Sequence, residues 1–127
     1  MMKKDWTNKR ILLVEDEETN IILIQEFLSI TKIKIDVSRN GEHALNKIKA
    51  GEKYDLILMD IKMPILNGID ATIEVKKIDK NIPVIAQTAY ALSEEKEQAL
   101  EAGCDDYITK PIRRDDLIEM MAKFLGE

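Results

Sequence analysis

Three acids, a threonine and a lysine stand at the ends of four separate apolar runs in this chain. Ile11-Leu12-Leu13-Val14 leads into Glu15-Asp16, and Asp55-Leu56-Ile57-Leu58-Met59 leads into Asp60. Pro83-Val84-Ile85-Ala86-Gln87 leads into Thr88, and Tyr107-Ile108-Thr109 leads into Lys110-Pro111. Carboxylates held close together repel and take up protons unless a cation intervenes. Hard oxygen donors point to Mg²⁺ or Mn²⁺. A carboxylate can also accept a phosphoryl group as an acyl phosphate. Such a group spreads negative charge over its oxygens, which a lysine, a hydroxyl and an approachable backbone N–H stabilise. Lys110, Thr88 and the N–H of small Ala89 supply those three. Taken singly, a strand-end acid or threonine caps the next helix and a lysine beside proline is solvated. Brought to one rim, the five side chains suit one divalent cation and one phosphoryl group.

Parallel strands are the elements that would bring them there. Short apolar runs separated by helix-length amphipathic segments read as buried parallel strands, and in an open α/β sheet chemistry gathers at their carboxyl ends. The runs at 11–14, 55–59 and 83–87 are almost wholly apolar and therefore central. Ile33-Lys34-Ile35-Asp36-Val37 alternates, as an edge strand with one wet face does. Five strands alternating with five helices predict a three-layer α/β sandwich with strand order 2-1-3-4-5 and right-handed crossovers. The first helix is expected from about Glu18 to Ser29, burying Ile21, Ile24, Phe27 and Leu28. The second lies between Gly41 and Gly51 on Ala44, Leu45 and Ile48, and the third runs from Asn67-Gly68 to about Ile78. The fifth carries a stripe of Leu117, Met120, Met121, Phe124 and Leu125; Arg113-Arg114 is a poor start, with Asp115 or Asp116 as substitute caps. The fourth has Ser93 as N-cap and Gly103 as its stop. Its only large apolar residues are Leu92 and Leu100, so it is expected to be weakly held and able to shift.

The chain resembles the receiver (response-regulator) domain of two-component signalling over essentially its whole length. The resemblance rests on Ile11-Leu12-Leu13-Val14-Glu15-Asp16-Glu17, Leu58-Met59-Asp60-Ile61-Lys62-Met63-Pro64, Asn67-Gly68, Thr88-Ala89-Tyr90-Ala91 and Ala102-Gly103-Cys104-Asp105-Asp106-Tyr107-Ile108-Thr109-Lys110-Pro111. It implies a flavodoxin-like fold in which Asp60 is the phosphoacceptor. Asp16, Asp60 and the backbone carbonyl of Lys62 would bind Mg²⁺, with Glu15 acting largely through a metal-bound water and Mn²⁺ able to substitute. Thr88, the backbone of Ala89 and Lys110 would hold the phosphoryl oxygens, and Tyr107 would turn inward as Thr88 is drawn to the phosphate. A cis peptide before Pro111 is implied as well. Glu15 stands where many relatives have Asp; its longer arm is expected to reach the same water. Lys62 and Tyr90 each sit two residues past a site residue, where family members vary along with phosphate lifetime, and Tyr90 is expected to screen the acyl phosphate.

Composition agrees with such a switch. One domain of 127 residues is expected, with a tail at 1–9 anchored by Trp6 and a core at 10–126. Formal net charge is −5, which leaves no excess of cations for nucleic acid. No apolar run is long enough to span a membrane, the start lacks a signal peptide's apolar core, and the lone Cys104 fits a reducing compartment; a cytoplasmic place follows. The only histidine, His43, lies mid-helix among polar residues and is expected at the surface, so the chain is not a histidine phosphodonor. The acidic face of the fourth helix (Glu94, Glu95, Glu97, Glu101) is expected to be solvated. The expected partner is a histidine kinase or histidine phosphotransfer protein. Neither nucleic acid nor membrane contact is expected, and the domain is a monomer or a weak dimer through the face of the fourth helix, fifth strand and fifth helix.

Other classes fit less well. A Mg²⁺-dependent phosphatase with an aspartyl nucleophile, of the haloacid dehalogenase type, needs an acid two residues after the nucleophile, where Lys62 stands. A nucleotide or flavin binder needs a Gly-rich loop where Glu15-Asp16-Glu17-Glu18 would repel an anion. The isolated domain is expected to catalyse only its own phosphorylation and dephosphorylation. The chain stops just past the fifth helix, which fits a stand-alone regulator or a receiver within a hybrid histidine kinase.

Overall fold

Alternate residues of a β-strand point to opposite faces, so strands apolar on both faces must be covered twice. The computed structural model, which describes residues 4–63, 65–89 and 94–126, meets that demand with helices on both sides of one sheet. Its elements are β1 (Arg10–Val14), α1 (Glu18–Leu28), β2 (Lys34–Ser38), α2 (Gly41–Lys49), β3 (Leu56–Asp60), α3 (Gly68–Ile78), β4 (Val84–Thr88), α4 (Glu94–Ala102), β5 (Asp106–Thr109) and α5 (Arg114–Leu125). All the strand pairs are parallel and the order is β2-β1-β3-β4-β5, the expected doubly wound arrangement.

Leu12, Val14, Ile57, Met59, Val84 and Ala86 face α2, α3 and α4, meeting Ala44, Leu45, Ile48, Ala71, Val75 and Ala99. Ile11, Leu13, Leu56, Leu58, Ile85 and Ile108 face α1 and α5, meeting Ile21, Ile24, Leu28, Leu117, Ile118 and Met121. Each fully buried aliphatic side chain contributes about 1.5–3 kcal/mol relative to exposure, so these two layers hold the sheet rigid beneath its rim. Trp6 does more than anchor a tail: it is 1% exposed within the α1/α5 layer, and its indole N–H donates to the carbonyl of Gly126 at 3.1 Å.

Several local expectations shift. The first helix ends at Leu28 and gives way to a 3₁₀ turn at Ser29–Thr31, while Phe27 is only half-buried. Neither Asp115 nor Asp116 caps α5: Arg113 occupies the cap position with extended backbone and no side-chain cap bond, and the two aspartates lie in the first turn. There their charge opposes the helix dipole without closing the helix end. On the stripe of α5, Met120 and Phe124 are half-buried and Ile118 is buried beside Leu117. Gly103 follows α4 with φ +113°, the left-handed stop expected of it. Only Ala99 of α4 is buried, and Leu100 is 42% exposed, so the helix is lightly held. Ser93, Leu92, Tyr90 and Pro64 lie outside the described residues. His43 is exposed.

Candidate phosphoacceptor site

The register of the sheet builds the site. Val14 pairs with Met59 and Asp60 with Gln87, so Glu15, Asp60 and Gln87 stand abreast at the strand ends on the face that α1 covers. Thr88 pairs with Thr109 one residue further on and faces α4, and the N–H of Lys110 donates to the Thr88 carbonyl at 2.8 Å. The Lys110–Pro111 peptide is cis.

The turn after β3 is fixed by a close backbone approach. The N–H of Gly68, at the start of α3, donates to the Ile61 carbonyl at 2.9 Å. A Cβ on Gly68 would lie 2.1 Å from the carbonyl oxygen of Asp60. Only glycine lets α3 begin this near the strand end. On the far side, the N–H of Gly41 donates to the Leu66 carbonyl at 3.1 Å and tethers the same loop to α2.

One carboxylate oxygen each from Glu15, Asp16 and Asp60 lie within 4.8 Å of one another. Glu15 is fully buried, Asp60 is 4% exposed and Asp16 is open to solvent. The Lys110 ammonium lies 3.2 Å from Asp60 Oδ2 and 3.7 Å from Glu15 Oε1. The backbone N–H of Lys62 donates to Asp60 Oδ1 at 3.2 Å. Burial, reinforced by the Asp60 carboxylate, pushes Glu15 up to about 7, while Asn20 and Lys110 act against the rise. Burial opposes the charge on Lys110, yet Asp60 and Glu15 hold its ammonium above the ordinary lysine value. Crowded acids of this kind, all oxygen donors with one facing solvent, fit a hard divalent cation that keeps some of its waters.

Asp16, Asp60, Lys62, Ala89 and Lys110 line one cavity of about 250 Å³, together with Glu17, Ile61, Gln87 and Glu95. Thr88 borders it from β4, with its hydroxyl donating to Glu95 Oε1 at 3.0 Å. Tyr107 is half-buried on β5, and Lys96 Nζ sits 4.6 Å from its ring centroid. The residues singled out in the sequence therefore gather at one rim, with Tyr107 one strand beyond.

Sequence reasoning missed three neighbours. Asn20 donates its amide N–H groups to Glu15 Oε1 and, at 3.3 Å, to Gln87 Oε1. Gln87 itself is buried, and a polar residue in an otherwise apolar run was a readable signal of that role. Glu95 departs from the solvated acidic face assigned to it. It turns into the site and pairs with Lys62 Nζ at 3.0 Å, whereas Glu94, Glu97 and Glu101 are exposed.

Comparison with known proteins agrees with this geometry. Residues 11–122 match the family described as the response regulator receiver domain. The hybrid signal transduction histidine kinase I of Dictyostelium discoideum is 40% identical over 121 residues, covering 89% of this chain and 7% of that protein. The polar-differentiation response regulator DivK of Brucella anthropi is 36% identical over 121 residues, covering 94% of this chain and 98% of the relative. The chain thus spans a small part of its hybrid-kinase relatives and nearly all of DivK. A solved receiver domain of the sensor histidine kinase PA1611 from Pseudomonas aeruginosa, described with a magnesium ion coordinated in its active site cleft, superposes with a TM-score of 0.87 at 34% identity, covering 94% of this chain and 98% of the other.

Proposed function

The chain belongs to the response regulator receiver domain family, and on that footing we propose that it is a phosphorylation-controlled switch whose acceptor is Asp60. The observation that carries this reading is the placing of Lys110 Nζ 3.2 Å from Asp60 Oδ2 beside the clustered oxygens of Glu15, Asp16 and Asp60.

In the reaction, an Asp60 oxygen attacks the phosphorus of a phosphohistidine on a histidine kinase or phosphotransfer protein. The P–N bond breaks, the imidazole leaves with the electron pair and takes a proton, and Asp60 carries an acyl phosphate. Lys110 and the N–H of Lys62 hold the carboxylate in line, and Lys110 then follows the new oxygens with Thr88 and the N–H of Ala89. Glu15, Asp16, Asp60 and the carbonyl of Lys62 would hold Mg²⁺, which when bound neutralises charge on the phosphoryl oxygens. Mn²⁺, with the same preference for oxygen donors, would substitute.

The output follows from α4. Thr88 is bonded to Glu95 and Tyr107 lies under Lys96, so both switch residues are tied to a helix with one buried side chain. Drawing the Thr88 hydroxyl toward the phosphoryl group breaks the first tie and favours an inward Tyr107, shifting the population of the α4–β5–α5 face. Partner choice, or weak dimerisation, would read that face. Among the described residues no helix is long and apolar enough to cross a membrane. As a receiver that meets a phosphohistidine protein, the domain is read as cytoplasmic and as touching no membrane, and its net charge of −5 is unfavourable to nucleic acid. We read residues 1–127 as one receiver domain that acts on no substrate but its own aspartate. It serves either as a regulator like DivK or as the receiver of a hybrid kinase.

Intact mass after incubation with phosphoramidate or acetyl phosphate, with and without Mg²⁺, tests the reading beside Asp60→Asn. One added phosphoryl group that requires both Mg²⁺ and Asp60 is expected. A gain that survives Asp60→Asn, or the lack of any gain from small donors and from a phosphohistidine protein, would overturn it.

A further inference from the structure

Glu15, Asp60 and Gln87 form one row across β1, β3 and β4, but only the first two belong to the phosphoacceptor chemistry. Gln87 is 1% exposed and follows Val84, Ile85 and Ala86 in its strand. A buried carboxamide is unfavourable unless its groups are hydrogen-bonded, and this one is half satisfied. Its Oε1 accepts from Asn20 Nδ2 at 3.3 Å, while its Nε2 has no acceptor among the described residues. The Asn20 amide also donates to Glu15 Oε1. A single amide on α1 thus bridges the buried carboxylate of the cation site and a glutamine two strands away.

We propose that Gln87 is a positioning residue of the cation site, acting through Asn20; the inference rests on reading Glu15, Asp16 and Asp60 as that site. An amide presents either its N–H₂ or its carbonyl end. The Gln87 oxygen, reachable only by a donor, turns the N–H₂ end of Asn20 to the strand ends. Glu15 is then held on both oxygens: Oε1 by Asn20 and Oε2 by the backbone N–H of Glu17 at 3.3 Å. That grip fixes the Glu15 carboxylate beside those of Asp16 and Asp60. An apolar residue at 87 would fill the core without an unpaired amide, but it would leave Asn20 unconstrained on that side. Partners that orient a ligand from behind commonly set metal affinity in this way.

Titration calorimetry with MgCl₂, alongside thermal melts without Mg²⁺, tests the proposal on the wild type, Gln87→Met, Asn20→Ala and the double variant. Either single change is expected to raise the Mg²⁺ Kd about tenfold, and the double variant should bind no more weakly than Asn20→Ala alone. Gln87→Met should melt no lower than the wild type, which a purely structural glutamine would not allow. Unchanged affinity in the variants, or effects that multiply in the double variant, would overturn the proposal. If Gln87→Met does not fold, Gln87→Ala takes its place, and unchanged affinity in Asn20→Ala, at a half-buried helical position, overturns the proposal by itself. A wild type that binds no Mg²⁺ would instead overturn the reading of the site on which this inference stands.

Discussion

The Thr88 hydroxyl donates to Glu95 Oε1 at 3.0 Å, and the other Glu95 oxygen lies 3.0 Å from Lys62 Nζ. One acid of α4 therefore engages two residues that border the proposed phosphoryl position. It also adds a negative charge to the rim that an incoming phosphoryl anion must approach. Glu95→Ala is expected to speed phosphorylation of Asp60 by small donors about fivefold, the equivalent of roughly 1 kcal/mol for a partly exposed charge. A mass time course checks this, and an unchanged or slower rate would show that Glu95 does not restrain the site.

Glu15 gives the protein a pH signature with two opposite signs. Its folded value of about 7 lies above the ordinary 4.5. Its contribution to stability is therefore full below about pH 4.5 and is lost as pH rises through 7. At the proposed cation site, binding of a divalent cation would need the Glu15 carboxylate and run the other way, with affinity rising about tenfold between pH 6 and pH 8. Melts across that range should show Mg²⁺ raising the Tm strongly at pH 8 and far less at pH 6, with the dependence flattened in Glu15→Gln. An equal Mg²⁺ effect at both pH values would contradict the shift.

Gly68→Ala should damage stability and site together. The added carbon would meet the Asp60 carbonyl at 2.1 Å, so α3 must retreat from the strand end. Overpacking of this kind costs about 1–3 kcal/mol, readable as a lower urea midpoint. Because the displaced backbone carries Asp60, the proposed acceptor, phosphorylation should slow even where the variant remains folded.

Ile65 holds φ +72° while 74% exposed, a left-handed conformation unfavourable to a β-branched side chain. Ile65→Asn, which tolerates that backbone, should stabilise the fold by about 1 kcal/mol. Chemical denaturation checks it; a loss of stability would show that the isoleucine side chain contributes packing which outweighs its strain.

The architecture was legible because it follows from local pattern. Continuous apolar runs must be covered on both faces, an alternating run belongs at an edge, and parallel strands deliver their last residues to one rim. That was enough to place Glu15, Asp16, Asp60, Thr88 and Lys110 together from the sequence by itself. What only the tertiary structure decided concerns side chains whose partners are remote in the chain. Asn20 meets Gln87 across 67 residues, Trp6 reaches Gly126 across 120, and Glu95 leaves an acidic helix face to meet Lys62 and Thr88. Periodicity says which face of an element is buried. It does not say which polar group on the next element stands opposite, because that is set by strand register and by how each helix lies across the sheet.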